Sequence, residues 1–262
     1  MTPPQVEIGG APASAADLVA SSTSYGHFTA MQVRDGRVRG LRHHLTRLAE
    51  STRLLFGSDL DTDLVRTCLR RLVTGAGDLS ARVVVFSRSS PRDRAMTPEI
   101  LVRTAPAHSH VPTPIRLRSV PYQRDLPQVK HLGTFGLGYH ARAAVLAGYD
   151  DAVFLAQDGR ISEASIWNVG FLRNGTVVWP EAEVLPGITY LILDEQLRAA
   201  GIPQETRPVY PADLPGFDAM FLTNSETIGR PVASVDEITL RSTPAAASLL
   251  AAAYEAAPWD EI

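Results

Sequence analysis

Pro127-Gln128-Val129-Lys130-His131-Leu132-Gly133-Thr134-Phe135-Gly136-Leu137-Gly138 contains the only lysine of the chain, whose other 24 basic residues are arginines. On a surface either cation supplies charge and solubility, so arginine can replace lysine wherever charge alone matters. A lysine stays where arginine fails. Guanidinium is not deprotonated at useful pH and is a poor nucleophile, whereas a desolvated lysine loses its proton and condenses with a carbonyl. Lys130 therefore reads as a Schiff-base lysine, with a chance surface lysine as the plain alternative. The prolines before it stiffen the chain, and Gly133, Gly136 and Gly138 after it let the backbone bend closely around a ligand, as the floor of a cofactor site requires.

The rest of the composition narrows the setting of that lysine. The chain has 262 residues, 45% hydrophobic and 20% charged, enough for a substantial core in one large or two modest domains. The net charge of -3, with basic residues scattered, leaves no footprint for nucleic acid or anionic lipid, so the expected partner is a small molecule. Cys68 is the single cysteine and cannot form an internal disulfide. No apolar run approaches the roughly 20 residues that span a bilayer. The start, Met-Thr-Pro-Pro with Glu7 soon after, lacks the regions of a signal peptide, which makes the cytoplasm the expected location. His43, His44 and His131 have no convincing set of companion ligands, so no metal site is expected.

Periodicity outlines an α/β chain. Residues before 25 read as an arm or a strand-and-loop entry. Phe28 to Val33 reads as a strand, Asp35-Gly36 as a turn, and Val38 as the start of the partner strand. Leu41, Leu45, Leu48 and Leu55 fall on one helical face that Gly57 stops, and a second helix is expected over Asp61 to Thr74. Ala81 to Ser87 reads as a strand buried on both faces, and Glu99 to Arg103 as another. Prolines 106, 112, 114, 121 and 127 suggest a stiff crossing between two halves. Beyond it come an expected helix (Gly136 to Ala147), a strand (Ala152 to Ala156) and a hairpin around Asn174-Gly175. A helix opened by Leu185-Pro186-Gly187, a strand (Ala219 to Leu222) and a helix over Thr243 to Ala256 complete the outline. The expected domains are 1–110 (small, α+β), a proline-rich linker at 111–128, and 129–262 (larger).

Neither the dinucleotide glycine pattern nor a phosphate-binding P-loop occurs, so nicotinamide and ATP chemistry lose their usual support. An ordered set of other motifs is present. Val129-Lys130 is followed by Ile161-Ser162-Glu163, by Asn168 five residues after the glutamate, and by Leu185-Pro186-Gly187-Ile188-Thr189. Upstream stands His44-Leu45-Thr46-Arg47-Leu48 with Ser51, and downstream Phe221-Leu222-Thr223-Asn224-Ser225 with Pro231-Val232. In this order the chain, from about residue 24 onward, resembles the class IV (fold-type IV) pyridoxal-phosphate enzymes, which include branched-chain and D-amino-acid aminotransferases and aminodeoxychorismate lyase.

The resemblance implies a small N-terminal α/β domain, a larger barrel-like C-terminal domain and a homodimer. It implies pyridoxal phosphate (PLP) held as a Schiff base by Lys130, which also moves a proton of the substrate, with Glu163 against the pyridine nitrogen. The phosphate would lie at the start of the helix carrying Ile188 and Thr189, joined by Arg47, Asn224 and Ser225. Ser90-Pro91-Arg92-Asp93-Arg94 resembles the loop that holds the substrate carboxylate in D-amino-acid aminotransferases, with Arg94 in place of a histidine, so Arg92 and Arg94 become substrate candidates. Thr29 joins them, standing where transaminases often carry glutamate and closer in type to the lyase. Lys130-His131-Leu132 also resembles the lyase, Leu185-Pro186-Gly187-Ile188-Thr189 the branched-chain enzymes, while Phe135 replaces a tyrosine of the latter. The expected activity is amino transfer between an amino acid and a 2-oxo acid. Aminodeoxychorismate lyase activity, giving 4-aminobenzoate and pyruvate, is the alternative, and a non-catalytic ligand-binding homologue is a third reading.

Overall fold

Hydrophobic alternation and helical spacing build two compact units, one of residues 1–109, 129–134 and 258–262, the other of 110–128 and 135–257. The computed structural model describes residues 5–107, 113–241 and 244–262. Pro112 of the proline-rich stretch and Thr243, expected to begin the last helix, lie outside the described residues.

In the first unit the arm before residue 25 forms β1 (Val6–Ile8), β2 (Ala11–Pro12) and a short helix α1 (Ala15–Ala20). There follow β3 (Gly26–Val33), β4 (Arg37–Arg39), α2 (Leu41–Phe56), α3 (Thr62–Val73), β5 (Leu79–Phe86) and β6 (Glu99–Pro106). The strands order as β2-β1-β6-β5-β3. Val83 and Val85 of β5 join Met31, Val33, Leu41, Leu48, Val65 and Leu69 in one core under α2 and α3, while Val84 and Phe86 pack with Phe28 and Leu101 on the opposite face. Burial on both faces is what the Val83-Val84-Val85-Phe86 run requires. Asp61 starts α3 by accepting from the backbone of Asp63 (3.0 Å) and Leu64 (2.9 Å).

β3 lies at the edge of this sheet and would expose unpaired backbone groups. Residues 129–134 supply part of the missing pairing: Phe28 N donates to Lys130 O (2.9 Å) and Leu132 N to Gly26 O (2.8 Å). Gly26 is needed there, because a Cβ would lie 2.6 Å from Val85 O and 2.9 Å from a Leu132 methyl. Residues Trp259–Glu261 likewise return to pair antiparallel with β4. Lys130 therefore belongs to the first unit, whereas the sequence groups it with the C-terminal half.

The second unit contains β7 (Ile115–Pro121), α4 (Phe135–Leu146), β8 (Asp151–Leu155), β9 (Ile161–Ala164), β10 (Trp167–Arg173), β11 (Thr176–Pro180) and α5 (Ile188–Ala199). β12 (Gln204–Arg207), β13 (Ala219–Thr223), β14 (Arg230–Val235), β15 (Ile238–Thr239) and α6 (Pro244–Ala256) complete it. β7 runs through the stretch expected to be linker. Its prolines mark the limits of the strand, with Pro114 before it and Pro121 as its last residue, positions where a missing N–H costs no ladder bond.

Pairing runs β10-β13-β14-β7-β8-β9 and returns from β9 to β10, closing six strands into a barrel. β7 pairs parallel with both β14 and β8, and α4 makes the crossover between β7 and β8. Val153, Ile161, Val169, Phe171, Met220 and Leu222 share one core. Their alternates Leu172, Ala219 and Phe221 face Leu193 and Leu197 of α5 and Leu250 of α6. The Asn174-Gly175 turn has both residues at positive φ (49° and 77°), as a two-residue hairpin demands. Where β9 turns into β10, the buried Asp151 carboxylate accepts from Ser165 Oγ (2.8 Å) and Trp167 Nε1 (3.0 Å), which fixes the corner just beyond Glu163. The mixed α/β architecture with a barrel in the larger unit is the one the resemblance implies. Among the described residues no helix is long and apolar enough to cross a membrane.

Candidate active site

Strand pleating sends neighbours of β3 to opposite faces, and this divides the first unit's candidate residues into two groups. On one face Phe28 presents its ring to two cations. Lys130 Nζ lies 4.9 Å from the ring centroid and the Arg82 guanidinium carbon 3.5 Å from it. Arg82 Nε is buried with no hydrogen-bond partner. Directly across the ladder from Arg82 stands Arg103. Burial, and then the neighbouring Arg103 charge, lower the Arg82 guanidinium to about 10. A half-buried guanidinium with an unpartnered Nε, against the same ring as the one lysine, is a candidate place for an anion. Sequence reasoning missed Arg82, because one arginine within a valine-rich strand carries no motif.

On the other face of β3 Thr29 is wholly buried against α2. Its Oγ1 lies 2.6 Å from His44 Nδ1, and Arg47 Nη2 donates to the same oxygen. The leucine spacing located the inner face of α2, but that face also buries His44, Ser51 and Thr52, polar residues that a hydrophobic period assigns outward. Arg47 keeps some exposed surface, yet its Nε is buried and unpartnered, and burial lowers its guanidinium to about 9.

His27, one residue before Phe28, lies 2.9 Å through Nε2 from Thr52 Oγ1, whose proton goes to Leu48 O (2.8 Å). Nε2 must then be the donor, which fixes the tautomer. Burial, reinforced by the Arg47 charge, lowers His27 to about 3, and His44 is held well below its ordinary value by burial first and the same charge second. Lowered folded-state values mean that the stabilisation is complete above the ordinary 6.5 and is lost as pH falls towards 3. From His27 alone the full loss is on the order of 4 kcal/mol. Urea unfolding at a series of pH values should show the decline beginning near 6.5, above the carboxylate range, and an unchanged midpoint between pH 7 and 5 would refute it.

The second unit has its own candidates, an acid and the start of a helix. Glu163, on the closing strand β9, accepts from Arg124 Nε at 2.9 Å, with side-chain exposures of 9% and 4%. Its other oxygen accepts from Leu185 N (3.2 Å), and Arg124 also donates to Pro127 O. Burial between a guanidinium and a backbone N–H holds the carboxylate in one orientation. Arg124 was missed because it falls in the stretch read as linker.

From Leu185 the chain turns into α5. Asn168 Nδ2 donates to Leu185 O (2.7 Å), and a Cβ on Gly187 would sit 2.0 Å from Asn168 Oδ1, so only glycine fits at this N-cap. Gly187 offers no side-chain cap, which leaves the first N–H groups of α5, those of Ile188 and Thr189 among them, available to an external anion. Thr189 Oγ1 donates to Asn224 O (2.8 Å). Asn224 Oδ1 is occupied within its own turn, accepting from Glu226 N (2.9 Å) and Thr227 N (3.0 Å), and Ser225 lies in that turn, partly exposed. Thus Ile188, Thr189, Asn224 and Ser225 come together in one unit, and Thr29, Arg47 and Lys130 belong to the other. Arg92 and Arg94 are both exposed on the loop between β5 and β6, where Asp93 N donates to Ser90 O (2.9 Å).

Comparison with known proteins gives these elements a lineage. The pattern of the family described as amino-transferase class IV matches residues 26–235. A bifunctional aminodeoxychorismate lyase / D-amino acid transaminase of Mycobacterium tuberculosis is 27% identical over 264 residues, covering 90% of this chain and 91% of its own. A probable branched-chain-amino-acid aminotransferase of Synechocystis is 33% identical over 99 residues, 37% of this chain and 32% of its own. Among solved structures, a hypothetical aminotransferase from Mycobacterium tuberculosis in its PLP-bound form superposes with a TM-score of 0.80 at 24% identity, covering 95% of this chain and 98% of that one. With four-fifths of the residues inside the matched span, this chain belongs to the class IV amino-transferase family.

Proposed function

We propose that the protein holds pyridoxal phosphate through Lys130 and moves an amino group between an amino acid and a 2-oxo acid. One observation carries the reading: the single lysine of the chain and Arg82, whose Nε has no hydrogen-bond partner, both lie against the Phe28 ring, within the span matched to the family. The groups present suit the cofactor. The buried, unpartnered Nε of Arg47 and the uncapped start of α5 suit a phosphate, and the oriented carboxylate of Glu163 suits a protonated ring nitrogen. When bound, the protonated ring withdraws electrons from the substrate carbon that bears nitrogen. Lys130 Nζ would hold the cofactor and, as a free amine, would carry the proton between that carbon and the cofactor carbon that receives the amino group.

Arg82 is a further candidate, beside Arg92 and Arg94, for holding a substrate carboxylate, because its Nε is buried without a partner. Arg82→Gln should raise KM for the 2-oxo acid by about 10-fold or more, the scale of one lost charge-assisted bond of 1.5–3 kcal/mol, while leaving covalent cofactor attachment intact. Steady-state kinetics with several 2-oxo acids decides it, and an unchanged KM removes Arg82 from the substrate site.

A second reading is favoured by the Mycobacterium relative, whose name joins lyase and transaminase over 90% of this chain. Conversion of bound PLP to pyridoxamine phosphate by an amino donor, reversed by a 2-oxo acid, establishes transamination. Release of pyruvate from aminodeoxychorismate without a keto acceptor establishes the lyase. Ligand protection without either reaction would leave a binding protein. We also propose a homodimer, consistent with the apolar surface that α4 exposes at Phe135, Tyr139 and Leu146; sedimentation of the holoprotein tests it.

A further inference from the structure

We propose that Thr29 and His44 form a neutral hydrogen-bonded pair that positions Arg47 for the cofactor's phosphate, so that Thr29 is a positioning residue and not a substrate contact. The inference rests on the cofactor reading above and goes beyond it by assigning two residues to the anion site.

The assignment follows from proton counting. A hydroxyl oxygen has one proton to give and two lone pairs, and guanidinium can only donate. Arg47 Nη2 donates to Thr29 Oγ1, so one lone pair is taken. The hydroxyl proton then has His44 Nδ1, 2.6 Å away, as its acceptor, which puts the histidine's own proton on Nε2. Both members sit in the interior, Thr29 at 0% exposure and His44 at 2%. Burial and the adjacent Arg47 charge oppose a second proton on His44, so the pair stays neutral.

A neutral pair can aim a guanidinium without neutralising it. A carboxylate in place of Thr29 would do both, and would compete with an incoming anion for the same charge. Here Arg47 has no carboxylate within ion-pair distance among the described residues, and its Nε is enclosed with nothing to donate to. Nη2 is tethered to β3 while Nε is unspent, an arrangement that orders the side chain before any anion arrives and so reduces the entropy lost on binding. Arg42 and Arg53 lie on the same helix as exposed residues, and only Arg47 is tied by Thr29.

The test separates phosphate recognition from general damage. Apo-protein is titrated with pyridoxal phosphate and, separately, with pyridoxal, which offers the same aldehyde to Lys130 and no phosphate; absorbance reads imine formation in each case. Thr29→Val keeps the volume and removes the acceptor, and should weaken pyridoxal phosphate binding about 10-fold or more while pyridoxal affinity stays within about twofold. Thr29→Ser, which restores the hydroxyl, should recover the wild-type ratio. If Thr29→Val does not fold, His44→Leu, which removes the other member, is expected to show the same selective loss. Equal weakening of both ligands, or none, overturns the positioning role. Failure of the wild type itself to give a borohydride-stable adduct at Lys130 instead overturns the cofactor reading, so the two failures are distinguishable.

Discussion

Lys130→Arg is expected to lower turnover by roughly 10⁴-fold or more, the scale on which removing a covalent nucleophile acts, while the protein remains folded. Arginine keeps the positive charge next to Phe28 and loses the neutral primary amine, so charge and chemistry separate in one substitution. The backbone carbonyl of residue 130, which accepts from Phe28 N, is unaffected by the change. Stability should therefore move by no more than about 1 kcal/mol. Borohydride treatment of the wild type should fix the cofactor in a single peptide, the one containing residue 130, because the chain has no other ε-amine. The variant should keep some affinity for the cofactor through Arg47 and the start of α5, with no covalent product after reduction. Turnover near the wild-type rate in Lys130→Arg would eliminate the mechanism.

The lysine could be singled out from sequence because it is unique, and the start of α5 because Leu-Pro-Gly before a helical pattern is a local signal with a local cause. Elements whose cause is local were legible in the same way: α2 between Gly40 and Gly57, α3 behind its Asp61 cap, the hairpin at Asn174-Gly175. What escaped depends on partners distant in the chain. The return of residues 129–134 to the edge of β3 is a backbone pairing that composition does not mark, and it moves Lys130 from one unit to the other. β7 was hidden by its own prolines, which bound the strand yet read as linker. Arg124 and His44 are polar residues whose burial is decided by a carboxylate 39 residues away and a β3 hydroxyl respectively, and Arg82 is covered by the ring of Phe28 on the neighbouring strand. A period of 3.6 or 2 assigns a residue to a face, and says nothing about a charged side chain paid for by a remote partner.

Glu163 and Arg124 offer the other large effect, and a double-mutant cycle separates their two roles. With side-chain exposures of 9% and 4% and a 2.9 Å contact, each is the compensation for the other's buried charge. Glu163→Gln removes the carboxylate to which Arg124 Nε donates, and should destabilise the protein by about 3–5 kcal/mol, the usual result of breaking a buried pair from one side. Arg124→Met strands the carboxylate and should cost a similar amount. Removing both partners together takes away the mismatch, so Glu163→Gln with Arg124→Met should recover most of the stability, a coupling that only contacting residues show. Activity should not follow. Glu163 is proposed to face the ring nitrogen, and a neutral amide there cannot hold a proton on it, so the double variant should be folded, should retain the cofactor covalently at Lys130 and should turn over at least about 100-fold more slowly than wild type. Urea unfolding and steady-state kinetics on the four proteins of the cycle give both quantities. Recovery of turnover in step with stability would mean that Glu163 serves only to neutralise Arg124, and the ring nitrogen would then need another partner.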